Sequence, residues 1–398
     1  MKLSVATLKS VPAGVWALGF VSLLMDLSSE MIHGLLPVFM TTALGAGMAT
    51  VGLVEGVAEA TAAVTKVFSG WLSDRIGKRK LLTGFGYGLA AASKPLFVVA
   101  GSVGWVMFAR FADRVGKGIR GTPRDALIAD ITEPGLRGAA FGLRQSLDTV
   151  GAFLGPAVAI ALMYLLGGNL RLIFALAALP AIGAVLLIVF GVKEPAHTAP
   201  RREARVPIAW SELGALGAPF WRVLILATVF SLARFSEAFL VLRGQTDGIG
   251  PALAPSVMIA MNIVYAGLAA PAGALSDQLG RRGLLALGLG ALIAADLVLG
   301  LGTGPVALFA GVALWGLHMA LTQGLFSAMI ADVAPAGLRG TAFGVYNLAG
   351  GLALLVASIG AGVLWSRFGA PSAFLAGAAV CALVLAGSGA LPQGKRAG

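Results

Sequence analysis

Apolar stretches of roughly 20 residues recur along the whole chain, and each is long enough to cross a bilayer core of about 30 Å as a helix. Twelve can be marked out, at 14–38, 50–70, 81–100, 103–121, 139–165, 169–191, 220–243, 255–273, 284–302, 305–329, 340–364 and 371–391. Composition agrees: of 398 residues, 58% are hydrophobic and only 12% charged, against about 25% charged in a soluble domain. The first stretch follows only Lys2 and Lys9, is too long for a signal peptide's apolar region, and contains Asp26 and Glu30. It reads as a retained spanning helix. The expectation is an all-α membrane protein with twelve transmembrane helices. Its 56 glycines suit helices that pack closely in lipid. Cys381, the single cysteine, excludes an internal disulfide or a cysteine-based metal site.

The net charge of +11 is unevenly placed. With both termini cytoplasmic, the inner side receives Lys2, Lys9, Arg75, Lys78, Arg79, Lys80, Arg137, Lys193, Arg201, Arg202, Arg205, Arg281, Arg282, Arg339, Lys395 and Arg396. Outer loops receive Arg171 and Arg367, with Arg243 near an outer helix end. Such an asymmetry is an orientation signal for a multi-pass protein of the inner (plasma) membrane, not a nucleic-acid footprint.

Two matches at nearly one offset reveal a duplication. GWLSDRIGKRK at 70–80 returns as GALSDQLGRRG at 273–283, offset by 203 positions, and ALIADITEPGLRGAAFG at 126–142 returns as AMIADVAPAGLRGTAFG at 328–344, offset by 202. Each half holds six spans. The expected organisation is a bundle at 1–191, a cytoplasmic linker at 192–219 containing the polar run VKEPAHTAPRREARVP, and a second bundle at 220–398. An even number of spans per repeat makes the halves parallel, one of the architectures used for alternating access.

These motifs resemble the major facilitator superfamily over essentially the whole chain. The two repeated turns look like that family's signature loops after its second and eighth helices. RVGKGIRGTP at 114–123 is similar to its Arg-x-x-x-Gly pattern, with Arg114 and Gly118 in the matching places and Lys117 where a glutamine is common. Gly142, Gly151, Gly155 and Pro156 resemble the motif of its antiporter branch, although Ala159 and Ile160 replace the usual closing glycines and the second half has Ala353 in place of Gly151. The resemblance implies a proton-coupled antiporter of major facilitator type. It also implies an inner gate at the repeated turns, comprising Gly70, Asp74, Arg75, Gly77 and Asp277, with Arg137 and Arg339 from the second repeated loop. The bland reading of the turns is a basic loop placed for topology, and that of the second loops a capped helix turn.

An ionisable group within the hydrocarbon is a functional candidate by default. The first half holds most of them. A rise of 1.5 Å per residue places Asp26, Asp113, Arg114 and Asp148 near the midplane, with Glu30, Glu59, Lys94 and Arg110 further out. Asp26, Glu30 and His33 share one helix face. Proton-coupling candidates are therefore Asp26, Glu30, Glu59, Asp113, Arg114 and Asp148, and substrate-cavity candidates His33, Arg110, Arg234, Glu237, Asn262, Tyr265, Tyr346 and Asn347. The competing structural reading is that acids and bases neutralise one another as packed pairs. No metal-spaced histidine pair, nucleophile elbow or phosphate-binding loop is present among the motifs, so neither an enzyme nor a metal or cofactor site is expected.

The function expected is proton-coupled export of a small organic molecule by a monomer in the lipid bilayer, with substrate and protons as partners. Uptake of a small solute or metal chelate is the alternative. A membrane sensor or scaffold with a transporter fold is a different class, disfavoured because no loop exceeds about 30 residues.

Overall fold

The structure is a computed structural model that describes residues 10–193, 208, 210–335 and 338–390. Among these residues every regular element is helical. The chain runs through α1 (Ala13–His33), α2 (Met48–Ile76), α3 (Arg79–Val98), α4 (Val103–Asp130), α5 (Arg137–Leu165), α6 (Leu170–Gly191), α7 (Gly217–Ala233), α8 (Ala238–Thr246), α9 (Ser256–Leu301), α10 (Gly304–Thr322), α11 (Leu325–Val333), α12 (Arg339–Phe368) and α13 (Ala370–Gly387). The twelve apolar stretches are largely covered by helix, though not always one helix to one stretch.

Stretches 220–243 and 305–329 are interrupted. α7 stops where Arg234 takes an extended backbone (φ −104°, ψ 100°), and the chain re-enters a helix only at Ala238. Between α10 and α11 stands Gly324 at φ +76°, a left-handed conformation that glycine adopts without a Cβ penalty. Conversely, 255–273 and 284–302 both lie in α9, which is bent at Gly280 (φ 69°, ψ 171°). Gly280 is the counterpart of Gly77, also at φ 69°, so the duplicated turn repeats its geometry as well as its letters.

Among the described residues, nine segments are long and apolar enough to cross a membrane by themselves. The three spans outside that group are α2, α3 and α4, all in the first half. Their sequences carry the buried charges that lower their apolarity.

Two compact packing units are present: residues 1–36 with 61–206, and 37–60 with 207–398. In the first, Val15, Leu18, Val21 and Met25 of α1 meet Tyr87 and Ala90 of α3, Leu127 and Ile128 of α4, Ala139 and Leu143 of α5, and Ala181 and Ile188 of α6. Glycines set the closest approaches. A Cβ on Gly116 would lie 2.7 Å from Gly86 O, and one on Gly86 would lie 2.8 Å from Arg120 N, so α3 and α4 cross backbone to backbone.

In the second unit, Phe235, Phe239, Trp315, Trp365 and Phe374 form one aromatic cluster with ring centroids 5.3–6.0 Å apart. The first turns of α2 belong here because Gly52 packs on the Ser358 carbonyl and Gly362 on that of Met48. Ala49 N donates to Ser366 Oγ at 3.1 Å across the same crossing. Of the expected linker, residues 194–207 lie outside the described residues, while Trp210–Leu216 form a short 3-10 helix.

Candidate functional site

The first unit concentrates charge on four helices. α1 contributes Asp26 and Glu30, α3 contributes Lys94, and α5 contributes Arg144 and Asp148. α4 contributes Arg110, Arg114, Lys117, Arg120 and Arg124 at intervals of four, three, three and four, together with Asp113 and Asp125. Those intervals keep the five cations on one side of the helix. Across the cluster seven cations stand against five carboxylates.

Lys94 and Asp113 form its deepest pair. Lys94 is 1% exposed, and its Nζ donates to Asp113 Oδ1 at 2.8 Å and to Ser29 Oγ at 3.1 Å. An ion pair this deep is held by geometry, since the attraction must offset the desolvation of both ions. Next along α4, Arg110 and Arg114 both approach His33 Nε2, the latter at 3.4 Å. The opposite ring nitrogen of His33 faces Glu30 Oε1 at 3.3 Å. His33 thus joins a carboxylate on its own helix to the two arginines of α4.

Nearer the C-terminal end of α4, Arg120 Nη2 stands 4.0 Å from Asp26 Oδ1 while its guanidinium covers the Tyr87 ring at 4.5 Å. Arg124 pairs with Asp125 at 3.0 Å and donates to Ser22 Oγ (3.0 Å) and Tyr87 Oη (3.4 Å). Arg144 Nη1 lies 3.4 Å from Asp148 Oδ1 one turn along α5. The Asp26 and Asp148 carboxyl groups face each other from α1 and α5.

The glycines of the antiporter-like motif explain how α5 comes so near. Gly151 rests on the Leu23 carbonyl, and a Cβ on Gly155 would lie 2.6 Å from Glu30 Cβ. Pro156 follows within the helix, and the carbonyl of Gly142 accepts from Ser146 Oγ at 2.9 Å. In this chain the motif seats α5 against the acid-bearing face of α1.

Other expected residues lie elsewhere. Glu59 falls in the second unit with Glu55, whose Oε2 accepts from Ser236 Oγ at 3.4 Å. Arg234 stands at the break after α7 with its guanidinium over Phe230 (5.8 Å), and Glu237 is the residue immediately before α8. Asn347 Nδ2 donates to the Phe343 carbonyl at 2.8 Å, and Tyr346 bonds to Ser327. Asn262 and Tyr265 are half-buried on α9.

At the repeated turns, Gly70 packs on Thr122, and Arg75 lies over Trp71 at 5.3 Å. Asp74 faces Arg79 at 3.6 Å, and Arg79 also holds Asp130 at 2.8 Å. The second half has Arg281 on Asp332, with an N–O hydrogen bond of 3.1 Å. Arg137 and Arg339, the first residues of α5 and α12, are exposed. The side chain of Asp277 is outside the described residues.

Sequence reasoning missed Arg120, Arg124 and Arg79. The first two continue the spacing of Lys117 but stand at or beyond the end of the predicted span at 121, whereas α4 runs on to Asp130. Asp296 is a further buried charge, in the second unit. It is 0% exposed in α9, neither carboxyl oxygen has a hydrogen-bond partner among the described residues, and Gly377 of α13 clears space for it.

Helices that span a bilayer twelve times and carry a charged cluster in their interior define a multi-pass membrane transporter. The model of the Major Facilitator Superfamily matches residues 18–243 and 238–394, and the chain belongs to that family. It is a transporter and not an enzyme. It is 31% identical over 364 residues to an uncharacterized MFS-type transporter of Methanocaldococcus jannaschii, covering 90% of this chain and 89% of the relative. It is 26% identical over 381 residues to the inner membrane transport protein YajR of Escherichia coli K12, covering 93% and 81%. Its fold is similar to crystal structures of the nucleoside transporter NupG (TM-score 0.78, 14% identity, 95% and 99% covered) and of a peptide transporter POT bound to sulfate (TM-score 0.75, 16% identity, 96% of each covered).

Proposed function

We propose that this transporter couples proton movement to the export of a small organic molecule by alternating access. The observation that carries the reading is the facing pair Asp26 and Asp148, with Arg120 beside the first and Arg144 beside the second. Gain or loss of one proton by such a pair changes which cation each acid holds, and the helices that bear those partners respond. Glu30, bonded to His33 and through it near Arg110 and Arg114, is a second element of the same kind. Export is supported by the glycine motif of α5, which resembles that of antiporters. The moving bodies are the two six-helix halves of a monomer, with both termini cytoplasmic in the inner membrane, as the distribution of Lys and Arg supports.

The test uses purified protein in liposomes with an imposed pH gradient and an internal pH dye. Substrate-dependent proton release is the expected signal. Asp26→Asn and Asp148→Asn are expected to retain substrate counterflow but to lose accumulation driven by the gradient. Unchanged coupling in both variants would remove the pair from the mechanism, and accumulation in the direction of proton entry would replace export by uptake.

A further inference from the structure

We propose that the transported molecule is an oxyanion, a small organic acid or phosphate ester, whose acidic group is held by Lys117 and Arg120. This inference rests on the transport reading and names the substrate class of the same cluster.

Arg120 is 5% exposed, yet its Nη1 has no hydrogen-bond partner among the described residues. Its ion pair with Asp26 is long, at 4.0 Å, and its other contact is the face of Tyr87. A buried guanidinium with a spare donor is costly unless a ligand or water completes it, and its planar fork matches carboxylate or phosphate oxygens. The Gly86–Gly116 crossing brings the α3 backbone against Arg120, which fixes where that fork stands.

Lys117 lies one turn away and is exposed. It interacts electrostatically with both Asp26 and Glu30, so it lies on the side of α4 that meets α1. An ammonium facing lipid within the hydrocarbon is strongly disfavoured, which points to a water-filled surface. With fourteen residues of α4 before it and thirteen after, it is about 20 Å from either end of the helix. The excess of two cations in the cluster is the charge such a ligand would neutralise.

The experiment compares thermal unfolding of the full chain in nanodiscs with matched compounds: aliphatic and aromatic carboxylates and phosphate esters against amines and alcohols of the same carbon skeletons. Vesicle-derived phosphatidylglycerol forms a separate arm. Stabilisers are expected among the soluble oxyanions only. Lys117→Gln should abolish the stabilisation and Lys117→Arg should keep it, with Arg120→Gln as an independent second loss. Stabilisation by amines or alcohols alone, by the lipid alone or by no compound overturns the proposal, as does an oxyanion effect that survives both Gln substitutions. The same panel in proteoliposomes separates the two readings. Proton movement with amines would preserve transport while eliminating the oxyanion, and no flux with any compound would remove both.

Discussion

Asp113→Asn leaves the ammonium of Lys94 with the Ser29 hydroxyl as its remaining hydrogen-bond acceptor among the described residues, in one of the most buried places in the first unit. Because Lys94 is 1% exposed, solvent cannot replace the lost carboxylate, and the expected cost is that of an uncompensated buried charge, about 3–5 kcal/mol. That corresponds to roughly two to three and a half powers of ten in the folding equilibrium. An exposed pair would contribute only about 0–1 kcal/mol, so the number discriminates between environments. The decisive comparison is the double variant Lys94→Met with Asp113→Leu. It removes both charges and their desolvation together, and is expected to recover most of the loss. Reversible unfolding in mixed micelles, followed by tryptophan fluorescence against the detergent mole fraction, measures the parent, Lys94→Met, Asp113→Leu and the double variant, with Asp113→Asn beside them. A single variant within about 1 kcal/mol of the parent, or a double variant as unstable as the sum of the singles, would refute the reasoning.

Three further outcomes can be measured. Gly280→Ala places a Cβ at φ 69°, ψ 171°, a region open essentially to glycine, and should cost on the order of 1–3 kcal/mol in the same unfolding assay. Arg79→Gln removes both the Asp74 and Asp130 contacts, yet these acids are 58% and 39% exposed; the stability loss should stay below about 2 kcal/mol and shrink further at high salt. In a Cys381→Ser background, Ala49→Cys with Ser366→Cys should be joined by a short bifunctional thiol reagent, since Ala49 N and Ser366 Oγ are 3.1 Å apart; no cross-link would contradict the packing of the start of α2 on α12.

The spans and the duplication were legible because lipid imposes a length on each segment and because the two halves keep the same letters at the same offset. Gly77 and Gly280 carry that legibility into geometry, as one backbone angle is repeated. Helix interruptions were not legible. An apolar run such as 220–243 looks the same whether or not Arg234 to Glu237 leave the helix, because hydropathy does not register backbone angles. The assignment of 37–60 to the second packing unit was equally hidden, since it depends on Gly52 and Gly362 meeting backbone carbonyls far away in sequence. For the site, the acids of α1 were visible by their spacing. Their partners were less so: the register of α3 on α4 determines that Lys94 meets Asp113, and the true end of α4 determines that Arg120 and Arg124 belong to the cluster.

The uneven apolarity of the spans has a consequence for biosynthesis. α2, α3 and α4 are consecutive, and α4 carries eight ionisable residues, each charge costing about 2.5–3.5 kcal/mol when an isolated helix centres it in the bilayer. Such a segment partitions poorly alone as it leaves the ribosome. Lys94 lies one helix before Asp113, so the pair can close as soon as α4 emerges, and the two helices can enter the bilayer as a hairpin with one fewer charge exposed on each. Substitutions that break this pair would then lower the yield of inserted protein before they affect any finished transporter.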